Sequence, residues 1–333
     1  MNSEHWPIWV LYVPVWIQHF WLSMKVGNLF FFLRTNPSID GFILSDSKFN
    51  TLQLVPEAYR PKSIQINESM SLSEVKDQMQ FNDISFPVVL KPDIGYRGLK
   101  VLKIDDDLAL ENAVRDIGTT FLLQEFIDHS LEIGLFYYRF PNREHGVIPS
   151  LTIKNFLTVT GNGKQTLGKL VGANPRALRH LTKLEKNFGE QWNEVIQKNR
   201  KIILEPIGNH NRGTEFRNAN HLVNENLCKV FDQMSAEMPG FYFGRFDIKT
   251  PSLDHLMQEK EFKVLEINGV GGEPTHIYDP QSTFINAWRD LCHVWRTAAK
   301  IAQINFQQGV PKPSFAEAYT KWKAYYNYRS KLA

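Results

Sequence analysis

Two short stretches of sequence decide the expected fold: GRFDIK at residues 244–249 and VLEIN at residues 264–268. Polar and apolar residues alternate in both, which is typical of β-strands, because successive side chains point to opposite faces. The alternation places Arg245 and Asp247 on one face of the first strand, and Glu266 and Asn268 on one face of the second. If the strands are neighbours, three oxygen ligands and one guanidinium converge on one spot.

These four side chains suit a site for a metal ion and phosphate. Asp247, Glu266 and Asn268 offer the hard oxygen ligands that Mg²⁺ prefers, and Arg245 can balance charge on a transferred phosphoryl group or an acyl oxyanion. The glycine-rich run GVGG at residues 269–272 follows directly and offers backbone N–H donors to an anion. A solvent-exposed strand with paired charges would explain one stretch alone. Two stretches and the loop together favour the metal-phosphate site.

A lysine at the end of an apolar strand lies upstream. Lys91 ends the run FPVVLK at residues 86–91, and GYRG follows at residues 95–98. Charge from Lys91 and N–H groups of a loop containing Gly95, Arg97 and Gly98 can hold phosphate oxygens. An ordinary turn is the alternative interpretation of the two glycines. The run is not a Walker A motif, which needs Gly-Lys-Ser/Thr at the start of a helix.

A third stretch is typical of a nucleotide hinge. The sequence FLLQEFID at residues 121–128 is an apolar strand that becomes polar, and LEIG at residues 131–134 begins another strand. Backbone groups of such a hinge can bind an adenine edge, and the carboxylate of Glu132 can accept both ribose hydroxyls. A solvated strand residue is the alternative for Glu132. The candidate hinge residues are Gln124, Glu125, Phe126 and Ile127.

Taken in this order, the segments resemble the ATP-grasp superfamily over roughly residues 72–305. The resemblance implies an α+β fold in which two α+β subdomains clasp ATP, here with a short aromatic-rich N-terminal segment. It implies that Lys91 lies near the α-phosphate, that Glu125 and Ile127 belong to the adenine hinge, and that Glu132 binds ribose. It also implies that Asp247, Glu266 and Asn268 bind Mg²⁺, with Mn²⁺ as a substitute, and that Arg245 lies beside the acyl phosphate.

Two further segments resemble the cyanophycin-synthetase-like branch: TVTGNGKQTL at residues 158–167 and RGTE at residues 212–215. The Glu-x-Asn strand and its continuation are also similar to D-alanine–D-alanine ligases. Enzymes of both kinds join a carboxylate to an amine. Lys154 and Lys164 are both candidates for the lysine that meets the γ-phosphate, and an ordinary surface lysine is the alternative for either.

The resemblance implies an ATP-dependent ligase that forms an amide or peptide bond through an acyl phosphate. Its substrates would be a small-molecule carboxylate and an amine, whose identities the residues do not specify. A small-molecule kinase of the same fold is one alternative, and a membrane-associated nucleotide-binding module without catalysis is another. The expected organisation is an N-terminal segment at residues 1–70 that replaces the usual preceding domain, an ATP-grasp domain at residues 71–310, and a basic aromatic helix at residues 311–333.

Composition excludes several classes of protein. The 333 residues carry a net charge of +3, which is too weak to favour a nucleic-acid partner. Only two cysteines occur, Cys228 and Cys292, so a disulfide framework is not expected and a reducing, cytoplasmic setting fits. The sequence does not indicate an oligomeric state.

The N-terminal segment allows three interpretations. No charged residue occurs from Trp6 to Met24, and tryptophan, phenylalanine and tyrosine crowd this stretch, but prolines and polar residues interrupt it. A pair of helices packed on the core, a monotopic membrane anchor and a spanning helix all remain open. Peripheral contact with the inner face of a membrane through residues 6–33 is therefore a hypothesis. The aromatic helix at residues 311–333 either docks on the body or joins that contact.

Overall fold

The computed structural model describes residue 6 and residues 8–43, 45–95 and 98–332, except for the side chain of Ile8. The described helices are α1 (Ile8–Val26), α2 (Lys48–Gln53), α3 (Leu72–Phe81), α4 (Asp107–Arg115), α5 (Leu167–Gly172), α6 (Leu181–Phe188), α7 (Glu225–Ala236), α8 (Leu253–Met257), α9 (Phe284–Gln307) and α10 (Phe315–Leu332). The described strands are β1 (Ser63–Ile66), β2 (Val88–Pro92), β3 (Leu102–Ile104), β4 (Phe121–Glu125), β5 (Leu131–Tyr138), β6 (Val147–Asn155), β7 (Thr158–Thr160), β8 (Lys201–Ile203), β9 (Glu215–Asn218), β10 (Phe243–Thr250) and β11 (Lys263–Asn268). The predicted α+β class is confirmed.

The chain divides into two compact units. Unit 1 contains Met1–Ile153 and Asn218–Ala333, and unit 2 contains Lys154–Arg217. The chain leaves unit 1 within β6 and returns within β9. The boundaries predicted after residues 70 and 310 follow sequence motifs, not compactness, and they stay predictions.

The first sheet of unit 1 is antiparallel, with strand order β1-β4-β2-β3. Helices α3 and α4 cover one face of it, where Val75, Met79 and Leu110 join a core of buried strand residues. Helix α3 begins with a capping box, because Ser71 accepts from the Glu74 N–H while the Glu74 carboxylate accepts from the Ser71 N–H. Lys91 and the candidate hinge residues therefore belong to neighbouring strands, β2 and β4.

The second sheet of unit 1 has the strand order β11-β10-β5-β6. On one face, residues such as Phe246, Ile248 and Ile133 pack against α7 in an apolar core. The opposite face of β10 carries Arg245 and Asp247. One sheet therefore has an apolar face that stabilises the fold and a polar face that is left for chemistry.

In the stretch at residues 6–33, the helix pair that was one interpretation is a long α-helix, α1, followed by a short 3-10 helix at Phe31–Arg34. The inner face of α1, with Leu11 and Val15 fully buried, packs on α9. Gln18 also donates to the Cys292 carbonyl, and the Trp288 indole donates to the Val10 carbonyl. None of the helices in the described part of the chain combines the length and hydropathy needed to traverse a membrane.

Residues 42–70 contain the helix α2 as well as the strand β1. Ser47 begins that helix, since its hydroxyl accepts from the Asn50 N–H. The cap was not recognised in the sequence because the helix has only six residues. At the other end of the chain, α10 lies within the segment predicted to form an aromatic helix.

Unit 2 has its own apolar core, to which Leu157, Leu167, Leu184 and Leu204 contribute. Strands β7 and β8 pair antiparallel, and α5 and α6 pack beside them. Helix α5 begins at the N-cap Thr166, whose hydroxyl accepts from the Lys169 N–H. The small unit is held together by hydrophobic burial in the same way as a larger domain.

Candidate active site

The structure brings together the four residues predicted on β10 and β11. Arg245 lies opposite Asn268, and Asp247 lies opposite Glu266, in an antiparallel register. Directly opposite residues share a face of the sheet, so all four side chains point to one side. Asp247 Oδ2 accepts from Arg245 Nη2 at 3.2 Å and from Asn268 Nδ2 at 3.3 Å. The chain therefore builds one compact cluster of two carboxylates, one amide and one guanidinium.

Arg245 is the buried cation of this cluster. Burial lowers the pKa of its guanidinium, but Asp247 and Glu266 beside it more than offset that effect, and the pKa is raised. Its Nη1 donates to the Glu273 carbonyl at 3.4 Å. Its Nε is buried and has no hydrogen-bond partner among the described residues. A buried donor of this kind is costly in a folded chain, and an oxygen from a bound molecule would satisfy it.

Strand β5 completes the polar face through a glycine. Gly134 lies opposite Asp247, and a Cβ at this position would stand 2.8 Å from Thr275 Oγ1 and 3.5 Å from Asp247 Oδ1. No side chain fits that space without a shift, so glycine keeps Asp247 in place. Further along the strand, the buried Glu132 lies opposite Lys249.

Lys91 connects the first sheet to the cluster. Its Nζ donates to the Leu265 carbonyl at 3.0 Å, next to Glu266, and to Gln124 Oε1 at 3.1 Å. Burial lowers the pKa of Lys91 to about 8, against the opposing effect of the carboxylate of Glu266. The ammonium is therefore held in a buried position that faces the carboxylates, as a residue that binds phosphate would be.

The predicted hinge is already hydrogen-bonded on several sides. Glu125 N–H donates to the Lys62 carbonyl at 2.9 Å, and Phe126 N–H donates to the Pro87 carbonyl at 3.3 Å. The Ile127 carbonyl accepts from Lys249 Nζ at 2.9 Å. These bonds fix the course of the hinge, and its contact with adenine stays a prediction.

Lys249 was missed by the sequence interpretation. Its ammonium lies 4.8 Å from the centre of the Phe126 ring, and Lys103 lies 4.9 Å from the centre of the same ring. Both are cation–π contacts, which add attraction to the hydrogen bond at Ile127. The signal was present, because the alternation that places Asp247 on the polar face also places Lys249 there.

Two other residues come from the N-terminal segment, where no sequence signal indicated them. Lys48 Nζ donates to the Gly95 carbonyl at 2.8 Å and lies 3.9 Å from Glu266 Oε1. Asp46 Oδ2 accepts from the Gly269 N–H at 3.1 Å. Burial raises the pKa of Asp46 to about 7, although that hydrogen bond opposes the rise. The segment thus contacts both the glycine loop after β2 and the loop after β11.

The two glycine loops use their backbone groups differently. In the loop after β11, the Gly269 N–H binds Asp46 and the Gly272 N–H closes a turn onto the Gly269 carbonyl, so these two donors serve the chain itself. In the loop after β2, Gly98 has a φ of +71°, in the region that favours glycine. Gly95 meets only ordinary contacts, and the candidate Arg97 lies outside the described residues.

A second small cluster lies beside Arg245. The Tyr278 hydroxyl donates to Glu273 Oε2 at 2.6 Å. Burial and then the Glu273 carboxylate raise the pKa of Tyr12, from α1, well above its ordinary value. His276, two residues before Tyr278, is buried and bonds Ser150 Oγ at 2.8 Å and Asp290 Oδ2 at 3.0 Å.

The two candidate γ-phosphate lysines belong to unit 2. Lys154 is buried, and its Nζ lies 6.0 Å from the centre of the Phe216 ring. Lys164 is exposed in a turn where Asn162 Oδ1 accepts from the N–H groups of Lys164 and Gln165. Asn162 stabilises the turn, because its side-chain oxygen accepts from both backbone groups. Which lysine meets phosphate stays a prediction.

The chemistry of the donor set fits a hard divalent cation. Asp247, Glu266 and Asn268 share one face and supply only oxygen ligands. No group of three or more histidine, cysteine, aspartate or glutamate residues able to hold a metal occurs among the residues that the structure describes. The predicted ligands fall outside this definition, because Asn268 is an amide and only Asp247 and Glu266 are carboxylates. Phosphate oxygens would complete the coordination.

Neither a family model nor a curated protein matches the chain. Solved structures similar to it include a bifunctional glutathione synthetase from Pasteurella multocida, at 16% identity and a TM-score of 0.38, covering 73% of this chain and 35% of that one. The VanG D-Ala:D-Ser ligase from Enterococcus faecalis matches at 12% identity and a TM-score of 0.42, covering 76% and 62%. The D-alanine–D-alanine ligase from Coxiella burnetii matches at 9% identity and a TM-score of 0.43, covering 79% and 58%.

The chain thus spans 35% to 62% of the length of these structures. At this level of similarity, conclusions about the activity of the chain depend on its own residues.

Proposed function

We propose that the chain is an ATP-dependent carboxylate–amine ligase that works through an acyl phosphate. One observation carries the proposal: Asp247 and Glu266 lie opposite each other on paired strands, and Arg245 and Asn268 flank them. Lys91 donates to the Leu265 carbonyl, next to Glu266. Charges of both signs are therefore concentrated on one face of a sheet whose opposite face is apolar. This pattern is typical of sites that position phosphate groups and metal ions.

Each residue has a defined task in the proposed reaction. Asp247, Glu266 and Asn268 would hold Mg²⁺, and bound Mg-ATP would supply the transferable phosphoryl group. Lys91 and Arg245 would orient phosphate and carboxylate oxygens and balance their negative charge. Positioning and electrostatics of this kind provide most of the catalysis in phosphoryl transfer.

The bonds balance in two steps. A carboxylate oxygen of the substrate attacks the γ-phosphorus, the bond to ADP breaks, and an acyl phosphate forms. The amine nitrogen then attacks the acyl carbon, inorganic phosphate leaves with the bonding electrons, and the nitrogen loses a proton. The guanidinium of Arg245 is suited to stabilise the oxyanion that forms in the second step.

The test measures ADP and inorganic phosphate released from Mg-ATP across a panel of carboxylates paired with amino acids. We expect phosphate release that requires both partners, and a fall of about a hundredfold or more in Glu266→Gln, which keeps the shape but removes the charge. Glu111→Gln, on the exposed helix α4, is the matched control and should match the parent chain.

Other outcomes identify the alternatives. Release of ADP with no free phosphate would identify a kinase that leaves the phosphoryl group on its substrate. ATP binding without turnover in every mixture would identify a nucleotide-binding module. Parent-like turnover in Glu266→Gln would contradict the assigned site.

A further inference from the structure

One face of α1 exposes large apolar side chains that the core does not use. Six large side chains are each 52% to 65% exposed. They recur at helical spacing and form one face, which we call the outer face: Trp9, Trp16, Ile17, Phe20, Trp21 and Met24. Large contiguous apolar patches on a protein surface usually mark a binding site.

This exposure does not come from a loosely attached helix. Leu11, Val15 and Val26 on the inner face are buried against the α9 core, and hydrogen bonds from Gln18 and Trp288 fix the helix to α9. The outer face is therefore a fixed, convex surface. A convex row of bulky side chains can contact a planar partner along its whole length, whereas a concave groove could not.

Charge identifies the kind of partner. Residues 6–33 contain no aspartate or glutamate. The cation Lys25 is exposed at the C-terminal end of α1, and Lys312 is held beside it through a 3.4 Å bond from its Nζ to the Gly27 carbonyl. Apolar aromatic residues with cations at the edge and no acids complement the interface of an anionic bilayer.

The aromatic surface continues onto a second helix. The side chain of Asn28 donates to the Pro313 carbonyl at 2.9 Å, and the rings of Phe30 and Phe315 lie 5.9 Å apart. From Phe315, a row of exposed aromatic residues follows α10 with Tyr319, Trp322 and Tyr326. Exposed Lys323 and Arg329 occur on the same helix.

We propose that the outer face of α1 binds the interfacial region of a phospholipid bilayer that contains anionic lipid. The helix lies flat in the interface, with its three tryptophans among the headgroups and upper acyl chains. Lys25 and Lys312 pair with lipid phosphates. This contact is independent of the proposed ligase activity and would hold the body at a membrane surface.

Vesicle flotation with the full chain tests the proposal, because aggregated protein does not float. The probes are vesicles of phosphatidylcholine alone and of phosphatidylcholine with phosphatidylglycerol, and the blue shift of tryptophan emission is a second readout. We expect flotation with the anionic vesicles and weaker flotation with the neutral ones. The double variant Trp16→Gln with Trp21→Gln should bind roughly tenfold or more weakly, since it removes two of the inserted rings.

The matched control is Phe81→Gln with Leu108→Gln, which removes two side chains that are at least as exposed but lie away from α1. This control should float as the parent chain does. Lys25→Glu should bind anionic vesicles several-fold more weakly than the parent chain, with no change in its binding to neutral vesicles. Failure of the parent chain to float with anionic vesicles would overturn the proposal. Equal flotation of the tryptophan variant, or self-association through this face without vesicle binding, would overturn it as well.

Discussion

Two regions of unit 1 supply charged groups to the candidate site in different ways. The β10–β11 pair places its charges by strand register, with Asp247 opposite Glu266. The segment at residues 46–48, where α2 begins, instead uses distant contacts: Asp46 bonds Gly269, 223 positions away, and Lys48 bonds Gly95, 47 positions away. The strand pair holds groups suited to chemistry, while the segment mainly bonds backbone atoms of two loops. We infer that the β10–β11 pair carries the reaction, and that the segment with Asp46 and Lys48, which we call the positioning segment, holds the two loops beside it.

The largest effect should come from the strand pair. Asp247→Asn keeps an oxygen that can accept from Arg245 but removes the charge that a metal ion needs. We expect kcat/KM for ATP-dependent phosphate release to fall on the order of a thousandfold. A melting curve like that of the parent chain would show that the fold is kept. Activity within a few-fold of the parent would move the chemistry away from this strand pair.

The next effect tests whether the polar face depends on close packing. Gly134→Ala puts a methyl group 2.8 Å from Thr275 Oγ1 and against Asp247, so strands or side chains must shift. We expect a loss of about 1–3 kcal/mol in the free energy of unfolding, with reduced activity. Gly172→Ala is the matched control, because nothing lies within 4 Å of its added Cβ. Equal effects of the two substitutions would show that Gly134 is not required by its neighbours.

A smaller effect is expected from the positioning segment. Lys48→Met keeps the apolar stem but removes the bond to the Gly95 carbonyl and the cation near Glu266. We expect activity to fall about tenfold, mainly through a raised KM for ATP, because the loop after β2 loses its anchor. Lys62→Met, at an exposed ion pair with Asp83, is the control and should be neutral. A loss as large as that of Asp247→Asn would erase the distinction between the regions.

The features that could be predicted from the sequence depend on the spacing of nearby side chains. The strands β10 and β11 and the polar face of each follow from a side-chain period of two residues. Lys249 could also have been found, because it continues the period that places Arg245 and Asp247 on one face. Such signals are local, so one sequence is enough to detect them.

The missed residues depend on tertiary contacts. Asp46 and Lys48 lie in a segment whose polar and apolar residues show no periodic spacing. Their hydrogen-bond partners are backbone atoms, which are the same in nearly every residue type and so leave no signal in the sequence. For the same reason, the sequence predicted that the Gly269 N–H would donate to a bound anion, whereas in the structure it donates to Asp46 of the chain itself. The spacing on α1 was consistent with several partners, and only the packing on α9 separates its buried face from its exposed one.

The smallest expected effect is a dependence of stability on pH that comes from the positioning segment. Asp46 has a pKa of about 7 in the folded chain, raised by burial from an ordinary value of 3.8. The neutral carboxyl is therefore favoured by folding. Its contribution is complete below about pH 4 and is lost as the pH rises through about 7.

Asp46→Asn isolates this contribution, because an amide oxygen can still accept from the Gly269 N–H but does not titrate. Between about pH 5 and pH 8, without Mg²⁺ or nucleotide, we expect the parent chain to lose about 1–2 kcal/mol more unfolding free energy than the variant, a value reduced for partial exposure of Asp46. Urea unfolding at both pH values measures the difference. Parallel pH profiles would mean that Asp46 is ionised in the folded chain and holds the loop after β11 as an anion, so this segment would supply a negative charge beside the Lys48 cation.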